Sequence, residues 1–407
     1  MTDQAEQALL WNEIFIKHFR AREWDKSLQA IQQAFAIDSG NPIILHNAAM
    51  LLQEFARFNE ARKFIELAAT LAPENREIQL ALAIEYLAEG EFQVGWEKYE
   101  ARLPLNQLMI GSAHSQAVRG FVEQKWSGQT LAGKMLMLWA EQGFGDSILF
   151  SRYLPELVAR MQREHGQVIY YCYEPLRSLL WRSAKDHMAS GHLLICTFGS
   201  PKFSPPAFHF HCPLASLPLR LSDTLKRIPP PLPLLADPQK AEAWRDRLTA
   251  PDKDLRVGLS WTGLPENKRN AQRSIDVLAL AQALKHITGV TFYSLQRGHS
   301  DEARAAASAG LKLNDFTADL HSFDDTTALL SNLDLVISVD TVTAHLAGTL
   351  NLPAWVMLDV NPYWLWGRTG TTSLWYSSVR LYRQKVMDDW TSVLEEICSD
   401  LQTHRKP

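Results

Sequence analysis

Residues 333–348 read LDLVISVDTVTAHLAG. The apolar run from Leu333 to Val339, broken only by Asp334, has the composition of a strand buried on both faces of a parallel sheet. It stops at Asp340-Thr341, two residue types that cap helices. An amphipathic helix from about Val342 to Leu350 follows and ends at Asn351 and Pro353. A strand that runs straight into a helix N-terminus makes an anion site, because unpaired N–H groups and the positive end of the helix dipole converge there. The stretch therefore predicts a place for a phosphate-bearing ligand, held by Thr341 and the N–H groups of Val342 and Thr343. His345 falls one turn into the helix, on the face that Thr341 begins. Read alone, the same residues also fit an ordinary capped helix with a buried, hydrogen-bonded histidine.

Outward from this stretch the alternation of strand and helix continues. A strand at Arg256–Trp261 is followed by a helix over 276–286, a strand over 290–295 and helices over 301–309 and 324–332. The strand 335–339 and helix 342–350 come next, then a strand over 354–358. An earlier series begins with the apolar strand Lys134–Ala140, the tight turn Gly143-Phe144-Gly145-Asp146 and a helix over 147–163. A strand over 167–172, a helix over 175–183 and a strand over 193–198 complete it. Pro201, Pro205, Pro206 and the run Pro229-Pro230-Pro231 with Pro233 separate the two series, which places the crossover at about 225–252. Strands alternating with helices imply parallel sheets with right-handed crossovers. Two such halves leave a cleft at the carboxyl ends of their strands, where open α/β sheets bind ligands. A helix over about 390–402 closes the chain. His209-Phe210-His211-Cys212 has a metal-like look, but no further ligands follow at a finger-like spacing, and the segment reads as a strand entering Pro213-Leu214.

The chain has 407 residues, enough for two or three domains, with 46% hydrophobic and 21% charged residues, an ordinary globular balance. A formal net charge of −4 gives no general argument for nucleic acid or for an anionic membrane surface. No apolar run approaches the length of a membrane span and no N-terminal targeting signal is legible, so the expected location is cytoplasmic. Cys172, Cys196, Cys212 and Cys398 lack paired spacing and read as thiols, not as disulfides or metal ligands.

The first hundred residues repeat. Trp24-Asp25-Lys26-Ser27-Leu28, Phe58-Asn59-Glu60-Ala61-Arg62 and Phe92-Gln93-Val94-Gly95-Trp96 begin 34 residues apart, and Ala34 and Ala68 keep the same offset. This period, with an aromatic residue opening the second helix of each unit, resembles the tetratricopeptide repeat. It predicts helix pairs 8–21/24–37, 41–55/58–71 and 75–89/92–102 stacked as a short solenoid over residues 1–104. Gly95 and the Trp96/Tyr99 cluster depart from the pattern, as a terminal repeat packed on another part of the protein would. The repeats could hold a partner peptide, or serve as a spacer or dimerisation platform. Residues 105–131 read as a linker.

Taken in order, a set of short motifs from Trp126 to Gln384 resembles the GT-B glycosyltransferases, and within them the heptosyltransferase-like group (glycosyltransferase family nine-like) fused to tetratricopeptide repeats. The motifs are Glu141-Gln142-Gly143-Phe144-Gly145-Asp146 with Arg152-Tyr153-Leu154-Pro155, Gly258-Leu259-Ser260-Trp261-Thr262-Gly263, and Arg273-Ser274-Ile275. Ser294-Leu295-Gln296, Ser338–Thr341 with His345–Gly348, Trp364-Leu365-Trp366, Trp375-Tyr376 and Arg380–Gln384 follow. The resemblance implies an acceptor-side Rossmann-like domain over 132–235, a nucleotide-sugar domain over 236–390 and a C-terminal helix and tail over 391–407. It further implies transfer of a hexose or heptose from a nucleotide-diphosphate sugar, with inversion, no obligatory metal and no cofactor beyond that co-substrate.

The resemblance gives residues roles. Asp146 takes the place of the base that accepts the acceptor's proton, although an Asp there also caps its helix. Gly143 and Gly145 let substrate approach the backbone. Arg273 is the cation for the leaving diphosphate, with Lys268 and Arg269 read as solvated loop charges. Leu264 departs from the polar residue that relatives often place there. Trp261, Gln296, Asp340, Thr341, Val342, Thr343 and His345 line the donor side, Asp340 toward a sugar or ribose hydroxyl, His345 toward phosphate or in support of the loop, and Gln296 either toward base or ribose or as a plain strand-end polar residue. Trp364 and Trp366 either stack in the donor pocket or belong to the core. Glu141 is a reserve carboxylate or a solvated charge.

Three functions stay open. One is a glycosyltransferase whose repeats recruit a protein or peptide acceptor. The second is a scaffold with a degenerate transferase half. The third is a heptosyltransferase-like enzyme acting on lipopolysaccharide or another glycan, for which Arg152, Arg160 and Arg163 along one helix are a hint that also reads as a solvated face. Homo-oligomers through the repeats are compatible with all three.

Overall fold

The computed structural model describes residues 3–103, 124–197, 207–222, 227–251 and 253–403. Most of the expected linker, the prolines at 201, 205 and 206 and the tail beyond 403 lie outside the described residues. The chain divides into two compact units, Met1–Met109 with Val360–Arg368, and Ile110–Asp359 with Thr369–Pro407.

The helical unit contains α1 (Asp3–Arg20), α2 (Trp24–Ile37), α3 (Pro42–Glu54), α4 (Phe58–Leu71), α5 (Arg76–Ala88) and α6 (Phe92–Tyr99), packed in consecutive pairs. The 34-residue period extends to the backbone. Arg22, Ala56 and Gly90 all take left-handed φ, of 58°, 55° and 80°, at the turn inside each pair. The side chains of Asn41 and Asn75 accept hydrogen bonds from the first N–H groups of α3 and α5, satisfying donors that a helix start leaves unpaired. Ala34 and Ala68 are fully buried. At Gly95 a methyl group would lie 2.7 Å from Leu87 Cδ2, so glycine is what lets α6 lie close on α5.

Residues 360–368 complete this unit. Trp364 packs edge-on against Trp96 at 5.4 Å and Tyr99 at 6.1 Å between ring centroids. Arg368 donates to Glu85 Oε1 and to Asn361 Oδ1, both at 2.7 Å, and lies 4.2 Å from the Phe58 ring. Asn361 in turn donates to Glu54 Oε1 at 3.0 Å. Trp364 is thus buried as cover for the terminal repeat, and Trp366 is buried as well. The aromatic face of α6 needed a partner, and the Trp364 ring supplies it.

The second unit carries two wholly parallel sheets. The first orders β1 (Gln124–Lys125), β5 (Phe210–Pro213), β2 (Met135–Trp139), β3 (Gln167–Cys172) and β4 (Leu193–Thr197) side by side. The second orders β11 (Val379–Arg383), β10 (Ala354–Leu358), β9 (Leu335–Val339), β6 (Leu255–Ser260), β7 (Val290–Ser294) and β8 (Leu313–Asp315). Each strand of β9 and β10 is buried at every residue, as continuous apolar runs covered on both faces require. The segment enters the strand β5 at Phe210: His209, just before it, accepts from the Met135 N–H, and His211 within it accepts from the Trp139 indole. Among the described residues no three His, Cys, Asp or Glu side chains gather as a metal site, and no helix is long and apolar enough to cross a membrane.

Candidate functional site

Each sheet has one point where the chain turns to opposite sides after adjacent strands. In the first it lies between β2 and β5, in the second between β6 and β9. Ligands of open α/β sheets sit at such points. The turn after β2 leads into the helix Phe144–Phe150, and the turn after β9 into the helix Val342–Thr349. The structure brings these two helices together at Gly145, where a methyl group would lie 2.6 Å from His345 Cδ2 and 3.0 Å from Nε2. Glycine at 145 is thus required by a close approach. Phe144 adds a ring contact to Phe323 of the second half at 5.1 Å.

On the first side, Gly143 donates its N–H to Asp146 Oδ2 at 3.1 Å. Asp146 therefore reaches back to the start of its own helix, and it remains only partly buried. Gln142, just before, takes a left-handed φ of 62°, a conformation that costs a non-glycine residue about 1–3 kcal/mol. The Tyr173 hydroxyl holds it by donating to the Gln142 carbonyl at 2.7 Å. Burial, with Glu141 and Asp146 nearby, keeps the Tyr173 phenol well above its ordinary range and so protonated. Glu141 is not a solvated charge. It is 1% exposed and accepts from the Ala215 N–H at 3.2 Å, tying the end of β2 to the turn after β5.

On the second side, Thr341 stands at the N-cap, but its side chain makes no capping bond and pairs instead with the Ser338 hydroxyl at 3.1 Å. Arg273 donates to the Asp340 carbonyl at 2.7 Å, which sets a guanidinium beside the same helix start. Gly263 leaves room for it, since any side chain there would overlap the Arg273 guanidinium. Asn270 accepts from the Gly263 N–H and donates to Thr262, shaping the loop in a way its sequence did not announce. Lys268 and Leu264 are exposed. Arg269 is not a free loop charge, since it pairs at 3.1 Å with Asp359, which is buried at the end of β10.

Gln296 and Trp261 sit at the carboxyl ends of β7 and β6. The Gln296 carbonyl oxygen accepts from Ser260 Oγ and from the N–H groups of Trp261 and Thr262, so it braces the loop. The Trp261 ring lies in the second half's core, its indole donating to Glu302 at 2.6 Å. Its backbone, not its ring, borders the site.

Behind His345 lies a group that sequence reading assigned no role. His345 Nδ1 is 2.9 Å from the Tyr376 hydroxyl. Tyr376 fits there because residue 348 is glycine: a methyl group would sit 2.5 Å from its ring. Arg152, expected on a solvated face, is 2% exposed. It donates to the carbonyls of Leu149, Trp375 and Pro229, and its guanidinium lies over the Trp375 and Tyr376 rings at 5.2 and 5.1 Å. Arg160, from the same expected face, pairs with Glu164 and lies over Trp126. Burial first, then the Arg152 and Arg273 charges, push the His345 imidazole down to about 3, so it is neutral at physiological pH. The flanking residues of Arg152, Ile148-Leu149-Phe150 and Tyr153-Leu154, were the one available sign that it is enclosed.

No family model matches the chain. It is 27% identical over 417 residues to Protein FlbA of Caulobacter vibrioides, a match covering 98% of this chain and 67% of that protein. Among solved structures it is similar to a glycosyl transferase family 9 protein of Veillonella parvula, with a TM-score of 0.49 at 11% identity over 68% of this chain and 98% of the other. It is also similar to ADP-heptose lps heptosyltransferase II of E. coli, with a TM-score of 0.41 at 11% identity over 66% and 99%.

Proposed function

We propose that the chain is a GT-B-type glycosyltransferase that moves a sugar from a nucleotide-diphosphate sugar to an acceptor with inversion, without an obligatory metal. The observation that carries this reading is the meeting of two sheet switch points at Gly145 and His345. Asp146 of one half lies on a helix that meets the helix beginning at Val342 of the other, and we read that helix start as the anion site. In the proposed reaction the acceptor's nucleophile attacks the anomeric carbon, the carbon–oxygen bond to the diphosphate breaks, and Asp146 takes the acceptor's proton. The departing nucleoside diphosphate gains negative charge. Arg273, Thr341 and the N–H groups of Val342 and Thr343 would stabilise it. Asp340 is the candidate for a sugar or ribose hydroxyl. The repeats would recruit a protein or peptide acceptor. Since Glu54 and Glu85 are engaged by residues 361 and 368, that acceptor would use another part of the helical unit.

One observation favours the non-catalytic scaffold: the Asp146 carboxylate already has a partner in the Gly143 N–H. Of the glycan-acceptor hint, Arg152 is buried and Arg160 is engaged, while Arg163 stays exposed beside Glu156. The deciding experiment is thermal stabilisation by a panel of nucleoside diphosphates and nucleotide sugars. A bound ligand at 100 times its Kd adds about 2.7 kcal/mol. The expected result is a rise in Tm with one nucleotide, lost in Arg273→Ala and Thr341→Ala. No rise with any nucleotide in folded protein would leave the scaffold reading.

A further inference from the structure

We propose that Arg152 and Tyr376 are positioning residues that fix His345 as an obligate hydrogen-bond donor through Nε2 toward the site, an inference that rests on the donor-side reading above. A neutral imidazole carries its proton on one nitrogen, and the partner of the other nitrogen selects which. Here that partner is the Tyr376 hydroxyl, 2.9 Å from Nδ1. Taken alone, the contact allows either direction. Arg152 breaks the tie. Its guanidinium lies over the Tyr376 ring and, with the Thr349 hydroxyl, it acts on the phenol oxygen from the side away from the imidazole, stabilising a bare oxygen there. A cation there draws the oxygen lone pairs toward itself and turns the O–H toward His345. Nδ1 then accepts, and the imidazole proton resides on Nε2.

The far edge of the ring borders the junction of the two helices. Nε2 and Cδ2 are the His345 atoms that lie against Gly145, at the junction of the two helix starts. The charged and titratable groups that act on the pair are Arg152, Arg273 and Asp146. With Arg152 and Arg273 both positive, protonation of the imidazole is opposed, and the ring stays a neutral donor. An anion at the helix start would thus meet an N–H whose orientation is set before it arrives, which removes part of the cost of ordering the site on binding. Gly348 makes the arrangement possible by admitting the Tyr376 ring.

The test is nitrogen NMR of protein labelled with 15N-histidine. The His345 resonances are those lost in His345→Gln among the 13 histidines. The expected wild-type pattern is an unprotonated Nδ1 and a protonated Nε2, unchanged from pH 8 to pH 5. Tyr376→Phe keeps the ring against Gly348 and removes only the hydroxyl. It should shift the pattern toward mixed tautomers and weaken nucleoside diphosphate binding about tenfold, a change of about 1.4 kcal/mol. A proton on Nδ1 in the wild type, or a tautomer pattern that survives Tyr376→Phe, would overturn the proposal. Nucleotide binding is read separately by the thermal panel. If no nucleotide binds, the donor-side reading fails while the tautomer result still decides the role of Arg152 and Tyr376.

Discussion

Asp146 carries two interpretations that one substitution separates. Asn at this position can still accept from the Gly143 N–H, so Asp146→Asn should leave Tm almost unchanged. If the carboxylate removes the acceptor's proton, transfer should fall by about 10²–10⁴, measured as kcat at saturating donor. A fall of less than tenfold would assign Asp146 to its helix alone. His345 gives a second prediction. Its folded-state pKa, about 3, lies below the value of 6.5 for a free imidazole. The unfolded chain therefore binds a proton first as pH falls. The stability that the neutral ring contributes is full above about 6.5 and is lost as pH drops toward 3. His345→Gln should flatten the fall of Tm between pH 6.5 and 4 relative to wild type. At this scale the sequence was a partial guide. The motif order pointed to Asp146, Arg273 and His345. Apart from the apolar neighbours of Arg152, it could not show that Glu141, Arg152 and Arg269 are enclosed or paired, because a charged residue itself carries no mark of what folds over it.

Secondary structure was far more legible. The strands read at 167–172, 335–339 and 354–358 have those same bounds in the structure, and the helix pairs of the repeats end within a few residues of expectation. Burial on both faces writes itself as apolar runs, and a 34-residue period multiplies a weak signal by three. Other elements were missed: β1 and β8 bury little and have no run to detect, β11 was read only as a motif, and the helix Pro238–Arg247 falls inside the expected crossover. What periodicity could not reveal is how closely two helices approach. Gly145→Ala tests that. The added methyl would press on the His345 ring, and overpacking of this kind costs about 1–3 kcal/mol. A lower Tm by calorimetry is expected, together with a smaller nucleotide-induced rise, because the strain falls on the junction itself.

For the molecule as a whole, the assignment of residues 360–368 to the helical unit has energetic weight. Arg368 and Glu85 form an ion pair with 6% and 0% side-chain exposure. Removing one partner of such a pair costs about 3–5 kcal/mol, whereas replacing both with apolar residues is often neutral. Arg368→Met should therefore lower stability markedly in denaturant titration, and Arg368→Met with Glu85→Leu should recover most of it. A fragment of residues 1–109 should be less cooperative than the same fragment supplied with a peptide of residues 360–368. Equal unfolding curves for the two would show that the segment adds nothing.

The late position of that segment has a consequence for biosynthesis. Roughly 250 residues separate the last helix of the repeats from the piece that covers it. At about 5–20 residues per second of synthesis, the ribosome takes on the order of 10–50 s to deliver it. Through that interval the nascent repeats carry uncovered Trp96 and Tyr99 and a Glu85 without its arginine. The N-terminal helices, although built from local contacts that form fast, would thus be among the last parts of the chain to reach their final stability, and a polypeptide stalled before residue 360 would present an aromatic surface for chaperones to bind.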